Sequence, residues 1–228
     1  MTSAVHALIA VKSLGLAKSR LADRLPAHER PRLVLAMLAD TVAVAVANPG
    51  IASVTVVTPD PVVTELVREL GGYAHPEPQP TGGLNAALAA GADAVRRAHG
   101  PVDLLALQAD LPAMRSHELS ALLAVASHRR SVVADHDGTG TVALLVRGGA
   151  PLNPLFGPDS ARRHIAAGAV ELLGDWPGLR QDVDTAADLE RAAALGVGEA
   201  TGTLLHEIGV SRACQGVKQV HRAGSSRC

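Results

Sequence analysis

The sequence predicts an α/β fold: an open, mostly parallel sheet with helices on both faces. Three observations predict it. Short apolar runs alternate with segments of helical spacing along the 228 residues. The clearest runs are SVTVVT at 53–58, rich in β-branched residues, and DLLALQ at 103–108, with four apolar residues in a row; they carry a single charge between them, as strands covered on both faces should. Hydrophobic residues make up 47% of the chain and charged residues 19%, yet Tyr73, Phe156 and Trp176 are the whole aromatic set. Ala, Val and Leu must therefore fill the core, which suits a sheet wrapped by helices.

The elements follow in order. Val5–Val11 is a short strand. Residues 28–48 carry Leu33, Met37, Thr41 and Val44 at helical spacing, and Pro49-Gly50 stops that helix. Ser53–Thr58 is a β-branched strand. Pro61–Leu70 is a helix opened by proline and closed by Gly71-Gly72. Tyr73-Ala74 makes a short strand, and 76–83 is a Pro/Gly loop. An Ala-rich helix runs over 84–99 and a buried strand over 103–108. A helix over 116–127 takes Ser116 as its N-cap. Strands at 131–134 and 141–146 flank a glycine turn. A short helix covers 159–167. A last helix covers 185–195, with Thr185 as N-cap and Asp188 three residues on, a capping box with Asp in place of Glu. We expect one domain to residue 206 and a loose tail over 207–228; from Arg212 the tail has four basic and no acidic side chains.

Composition removes several function classes. With 21 Lys+Arg against 22 Asp+Glu, no global field draws the chain to nucleic acid or to a membrane surface. Three aromatics cannot build a base-stacking platform. Cys214 and Cys228 both lie in the tail, so no disulfide framework holds the body, and neither they nor His206 and His221 have zinc-ligand spacing. No apolar run reaches the length of a membrane span. The expected location is the cytoplasm.

In such a sheet, ligands sit at the C-terminal ends of the strands. After the first strand come Lys12, Lys18 and Arg20, and 12–32 holds six basic and two acidic residues, a local +4. A cationic loop there suits a polyphosphate. No G-x-G-x-x-G and no G-x-x-x-x-G-K-[ST] is present, so dinucleotide and P-loop folds are disfavoured. The strand ending at Leu107 runs into Gln108-Ala109-Asp110-Leu111-Pro112. A carboxylate there is costly to desolvate unless it meets a cation or a cap, so Asp110 is a metal ligand or a turn residue. Asp182-Val183-Asp184 on a short strand would put two carboxylates on one side. With Asp110 they make three hard oxygen donors suited to Mg²⁺, or else Asp182 is a surface charge and Asp184 a neighbour of the helix cap. The turn Gly138-Thr139-Gly140-Thr141 and the segment Phe156-Gly157-Pro158-Asp159-Ser160, which opens the helix holding Arg162, Arg163 and His164, suggest a small anion site. Gly83 and Asn85 open another helix, where Asn85 could read a base edge or cap the helix.

Taken in order, AVKSLGLAKSRLA at 10–22, VTVVTPD at 54–60, GLNAAL at 83–88, LQADLPAM at 107–114, VADHDGTGTVAL at 133–144, FGPDSARRH at 156–164 and DVDTAADL at 182–189 resemble one family. It is the guanylyltransferases that activate a small phosphorylated three-carbon acid in the biosynthesis of the deazaflavin coenzyme F-420. The details of FGPDSARRH and of WPGLR-x-DVDT resemble the branch that uses phosphoenolpyruvate, where another branch uses 2-phospho-L-lactate. The resemblance implies a single-domain nucleotidyltransferase with a glycosyltransferase-A-like sheet. It implies GTP and phosphoenolpyruvate as substrates, Mg²⁺ as cofactor, and hand-over of product to the next transferase of the pathway. By motif, Asp110, Asp182 and Asp184 would hold magnesium. Thr141, Gly157 and Ser160 would hold phosphoenolpyruvate. Lys12, Lys18 and Arg20 would face the triphosphate, with Asp110, Lys18 and Arg20 as the catalytic set, and Gly83 and Asn85 would lie near the guanosine. A molybdenum-cofactor-type nucleotidyltransferase is the runner-up, disfavoured because the first loop holds one glycine, Gly15, among cations. A nucleotide-binding regulatory module is the alternative outside enzymes; it is disfavoured because the carboxylates and the cationic loop are all present.

Overall fold

The computed structural model describes residues 4–14, 18–78 and 82–209. The expected loose tail lies almost wholly outside them. Seven strands form one sheet: β1 (Val5–Ala10), β2 (Ile51–Thr58), β3 (Tyr73–Pro76), β4 (Asp103–Leu107), β5 (Arg130–Ala134), β6 (Thr141–Val146) and β7 (Val170–Glu171). Their spatial order is β3-β2-β1-β4-β6-β5-β7. β1 pairs in parallel with β2 and β4, and β2 with β3. β6 runs against both β4 and β5, and β7 is parallel to β5. Only β6 is reversed, so the expected mostly parallel sheet is present.

Both faces of the sheet are dry. Along β1, Ala7 and Ile9 point to one side, where they meet Leu38 and Val42 of α1 (Glu29–Ala47), Val63 and Val67 of α2 (Pro61–Glu69), and Leu119 and Leu122 of α4 (Ser116–Val125). Leu8 points to the other side, against Leu88, Ala92 and Val95 of α3 (Gly83–His99) and against Phe156. β4 splits the same way, Leu105 and Leu107 from Leu104 and Ala106. Residues buried on alternate sides in this manner leave no polar face, which is why these strands read as unbroken apolar runs. α3 lies so close to the sheet that a Cβ on Gly91 would stand 2.7 Å from Val57 Cγ2.

A third apolar cluster lies beside the sheet. Leu33 and Met37 of α1 pack there with Val183, with Leu189 and Ala192 of α6 (Ala186–Leu195), and with Leu204 and Leu205 of α7 (Glu199–Glu207). α7 was not expected from the sequence. It is fixed by Asp40 of α1, a buried carboxylate that accepts the N–H groups of Ala200 at 3.0 Å and Thr201 at 2.9 Å. An anion at the N-terminus of a helix satisfies donors that nothing else can reach.

Local signals held where the side chain itself makes the bond. Thr185 caps α6 and exchanges bonds with Asp188, at 3.3 Å from the Asp188 N–H and 2.6 Å from its own N–H. Ser116 is not the N-cap of α4. Arg115 holds that position, and Glu118 accepts its N–H at 2.9 Å. The Ser116 carbonyl instead accepts from Asn48, the residue that ends α1, at 2.9 Å.

Candidate active site

The loops after β1, β4 and β5 gather at one edge of the sheet. The start of β6 joins them there, because that strand runs backwards. The loop after β4 is braced from below: the Thr41 hydroxyl accepts the Leu111 N–H at 3.2 Å and donates to Met37 one turn back at 2.9 Å. On the other side the loop after β1 is held by Asp60, which caps α2 and also accepts the Leu14 N–H at 3.3 Å.

Asp182-Val183-Asp184 is not a strand of the sheet. One bond, from the Val183 N–H to the Asp110 carbonyl at 3.2 Å, lays it beside the end of β4. The alternation is still present in its burial. Val183 is fully buried, while Asp182 is half-buried and Asp184 exposed. Proline at 112 and the capping box at 185–188 keep the two segments from pairing further.

Two of the three carboxylates face a lysine. The Lys18 ammonium donates to Asp110 and, at 2.7 Å, to Asp184. Burial works against the charge on Lys18, but the two carboxylates overcome it and raise its pKa above the ordinary value. Burial first, and then the charges of Asp110, Asp135 and Asp184, push Asp182 up to about 7. The second oxygen of Asp110 is buried and has no hydrogen-bond partner among the described residues. Excess negative charge with an unsatisfied buried oxygen is the environment a hard divalent cation fits. Among the described residues no three His, Cys, Asp or Glu side chains stand together at metal-binding spacing. The Lys18 ammonium supplies the positive charge between Asp110 and Asp184.

Two residues outside the expected set shape this region. Asp135, at the end of β5, accepts the N–H groups of Thr139 at 2.9 Å and Gly140 at 2.7 Å, which closes the glycine turn. Arg180 donates to the carbonyls of Ala134 at 3.1 Å and Asp135 at 2.8 Å, which spaces the Asp182 segment from that turn. Beside it a cavity of about 440 Å³ is lined by His136, Arg180, Gln181 and Arg191. The Asp-x-Asp-Gly pattern at 135–138 signals the turn in the sequence; nothing there signals the Arg180 contacts.

The expected acceptor residues are gathered around His164. Thr141 Oγ lies 3.0 Å from His164 Nδ1, and the Leu155 N–H donates to His164 Nε2 at 2.9 Å. Ser160 opens α5 (Ser160–Ala166), one turn before His164. Gly157 has φ of 124°, a backbone conformation that favours glycine. The Ser160 N–H donates to the Gly157 carbonyl at 3.2 Å, and Ser160 itself is buried. The Ala161 N–H donates to Thr139 at 3.1 Å and joins α5 to the glycine turn.

Asn85 neither caps α3, whose N-cap is Gly82, nor presents an open amide. It donates to the Phe156 carbonyl at 3.0 Å and accepts the Phe156 N–H at 2.8 Å. It is thereby a clamp on the segment that precedes Gly157. Gly83 begins α3 with φ of 80°. Lys12 and Arg20 are exposed on the first loop, and the described contacts bring Lys18 alone of the three cations onto the carboxylates.

Comparison with known proteins agrees with this geometry. The model of a family described as "Guanylyl transferase CofC like" matches residues 5–223. A Nocardia farcinica protein named phosphoenolpyruvate guanylyltransferase is 66% identical over 211 residues, covering 91% of this chain and 93% of the relative. A Rhodococcus erythropolis protein of the same name is 53% identical over 210 residues, covering 86% and 93%. Among solved structures, a nucleotide-diphospho-sugar transferase from Desulfovibrio desulfuricans superposes with a TM-score of 0.69 at 15% identity, over 92% of this chain and 96% of the other. A cytidylyltransferase from Leptospira borgpetersenii gives 0.52 at 14% identity, over 96% and 100%. These two share the fold. The chain belongs to the CofC-like guanylyl transferase family.

Proposed function

We propose that this protein joins GMP from GTP to phosphoenolpyruvate, giving enolpyruvyl-diphospho-5'-guanosine and pyrophosphate. The observation that carries the reading is the convergence of Lys18, Asp110, Asp182 and Asp184 at the ligand edge of a nucleotidyltransferase sheet. The names of the relatives support the acceptor.

A phosphate oxygen of phosphoenolpyruvate attacks the α-phosphorus of GTP. A new P–O bond forms, the bond to the β-phosphate oxygen breaks, and pyrophosphate leaves with the electron pair. The attacking oxygen is already anionic at neutral pH, so no general base is required. The obstacle is repulsion between two anions and charge growth on the leaving group. Magnesium held by Asp110, Asp182 and Asp184 would supply the positive charge that offsets both. Lys18, Arg20 and Lys12 face the triphosphate from the first loop. Thr141, Gly157 and Ser160 hold the acceptor, and the Asn85 clamp keeps their segment in place. A positioned acceptor turns a bimolecular encounter into an oriented one.

GTP and phosphoenolpyruvate are water-soluble anions, and among the described residues no helix is long and apolar enough to cross a membrane. This reading places the enzyme in the cytoplasm of a cell that makes coenzyme F-420, with its product passed to the next transferase. The test is pyrophosphate release with GTP and Mg²⁺, comparing phosphoenolpyruvate, 2-phospho-L-lactate and no acceptor. Release with phosphoenolpyruvate alone is expected. Release with phospholactate alone would keep the chemistry and replace the acceptor. Release with neither, with the product-consuming transferase present, would reject the reading.

A further inference from the structure

We propose that His164 is a positioning residue for the acceptor: its Nδ1–H fixes the Thr141 hydroxyl so that the hydroxyl hydrogen is turned toward the acceptor's anionic group. This rests on the reading above, in which Thr141, Gly157 and Ser160 hold phosphoenolpyruvate.

The argument begins with a backbone amide. The Leu155 N–H can only donate, so His164 Nε2, 2.9 Å away, must carry a lone pair. A neutral imidazole has one N–H, which then sits on Nδ1. At 3.0 Å that N–H donates to Thr141 Oγ. The Thr141 hydroxyl spends a lone pair on this bond and keeps its own hydrogen. Thr141 is buried, and among the described residues its Oγ makes no other hydrogen bond, so that hydrogen has no protein acceptor. The neutral state is enforced by the surroundings. His164 is fully buried, and burial, with the nearby cations Arg130 and Arg163, lowers its pKa to about 4.

The same ring touches Thr141 and is tied through the chain to the other two acceptor residues. Nδ1 holds Thr141. Nε2 holds Leu155, and the next residue, Phe156, is gripped by Asn85 and packs edge-on against the imidazole at 5.3 Å between centroids. Gly157 follows directly. Ser160 lies one helical turn before His164 on α5. A fully buried histidine with both nitrogens engaged is costly to retain for packing alone, since an apolar residue would fill the space without needing two partners. Its two bonds serve a geometry instead.

The experiment uses the full chain and three substitutions. In His164→Gln the side-chain oxygen can still accept from Leu155, but the donor to Thr141 is lost. His164→Asn can keep an N–H at the Nδ1 place. Thr141→Val removes the hydroxyl. A hydrogen bond to a charged ligand group corresponds to about tenfold to a hundredfold in affinity. We expect His164→Gln to raise KM for phosphoenolpyruvate by that factor and leave KM for GTP unchanged, with His164→Asn closer to the unaltered enzyme. The double variant His164→Gln/Thr141→Val should be no worse than Thr141→Val alone. Equal effects on both substrates, or effects that multiply in the double variant, would overturn the proposal. A proton–nitrogen correlation spectrum of the imidazoles reads the unaltered protein without turnover. It should show His164 protonated at Nδ1, with a signal that moves when phosphoenolpyruvate is added. A ring protonated at Nε2, or a signal that phosphoenolpyruvate leaves in place, would also overturn it. If the unaltered enzyme releases no pyrophosphate, the reaction reading fails, and this spectrum decides the role of His164 separately.

Discussion

The N–H of Val183 donates to the carbonyl of Asp110 at 3.2 Å, and on this bond the acidic site is assembled. It sets the register between the end of β4 and a segment far along the chain. Val183 is buried behind it, so Asp182 and Asp184 are displayed together on the Asp110 side.

Asp110→Asn keeps the shape of that residue and removes its charge. Turnover should fall by at least about a hundredfold, the scale seen when one preorganised electrostatic contact is lost. Stability should change little, because the carboxylates repel one another and Lys18 retains Asp184. Pyrophosphate release and a thermal melt check both parts; normal turnover would remove Asp110 from the catalytic set.

Lys18→Met leaves the carboxylates without their internal cation. We expect a loss on the order of 2 kcal/mol at neutral pH in the presence of a chelator, less than for a fully enclosed pair because Asp184 is half exposed. Magnesium should restore more stability to this variant than to the unaltered protein. Melting curves with chelator and with magnesium measure the difference. Equal magnesium effects would show that lysine and metal do not share a place.

Asn85→Ala breaks both bonds to Phe156. The cost should be about 2 kcal/mol, two hydrogen bonds of ordinary worth. KM for phosphoenolpyruvate should rise and KM for GTP should not. A base-reading role predicts the reverse, with weakened discrimination between GTP and ITP, so steady-state kinetics with both nucleotides separates the two.

The pH dependence of stability follows from His164. Its pKa is about 4 in the folded protein and near the ordinary 6.5 when unfolded, so the unfolded chain takes up the proton first as pH falls. Stability from this residue is complete above about pH 6.5 and is lost as pH falls toward 4, on the order of 3 kcal/mol in all. His6, buried and beside His99, is shifted in the same direction. Urea unfolding at pH 7 and pH 5 should therefore show a smaller loss in His164→Asn than in the unaltered protein, though not zero.

The legible parts of the fold were those encoded by neighbours in sequence. β2 was visible because it is rich in β-branched residues, β4 because 104–107 is an unbroken apolar run, and the α6 cap because Thr185 and Asp188 bond across three residues. β7, with two residues, is too short to carry a pattern, and α7 depends on Asp40, which no local window contains. The site divides in the same way. Asp110, Asp182 and Asp184 stand out as charges against apolar surroundings. The bond from Lys18, the Arg180 brace and the Asn85 clamp each join remote segments, and only the closed sheet brings their atoms within reach. The cap reading of Asn85 fails for that reason: an asparagine near a helix start has a local reading, and the structure pairs it with Phe156.

The bond between Asp40 and α7 bears on the order in which the chain can mature during synthesis. Until residues 200 and 201 leave the ribosome, Asp40 has no amides to satisfy it, and the face of α1 that bears it must stay hydrated. The sheet can pair earlier, but α1 settles fully only once α7 has been made. A nascent chain stalled before α7 therefore displays part of the apolar surface of Leu33 and Met37 that Leu204 and Leu205 later cover, and it is at this stage that a chaperone has something to hold.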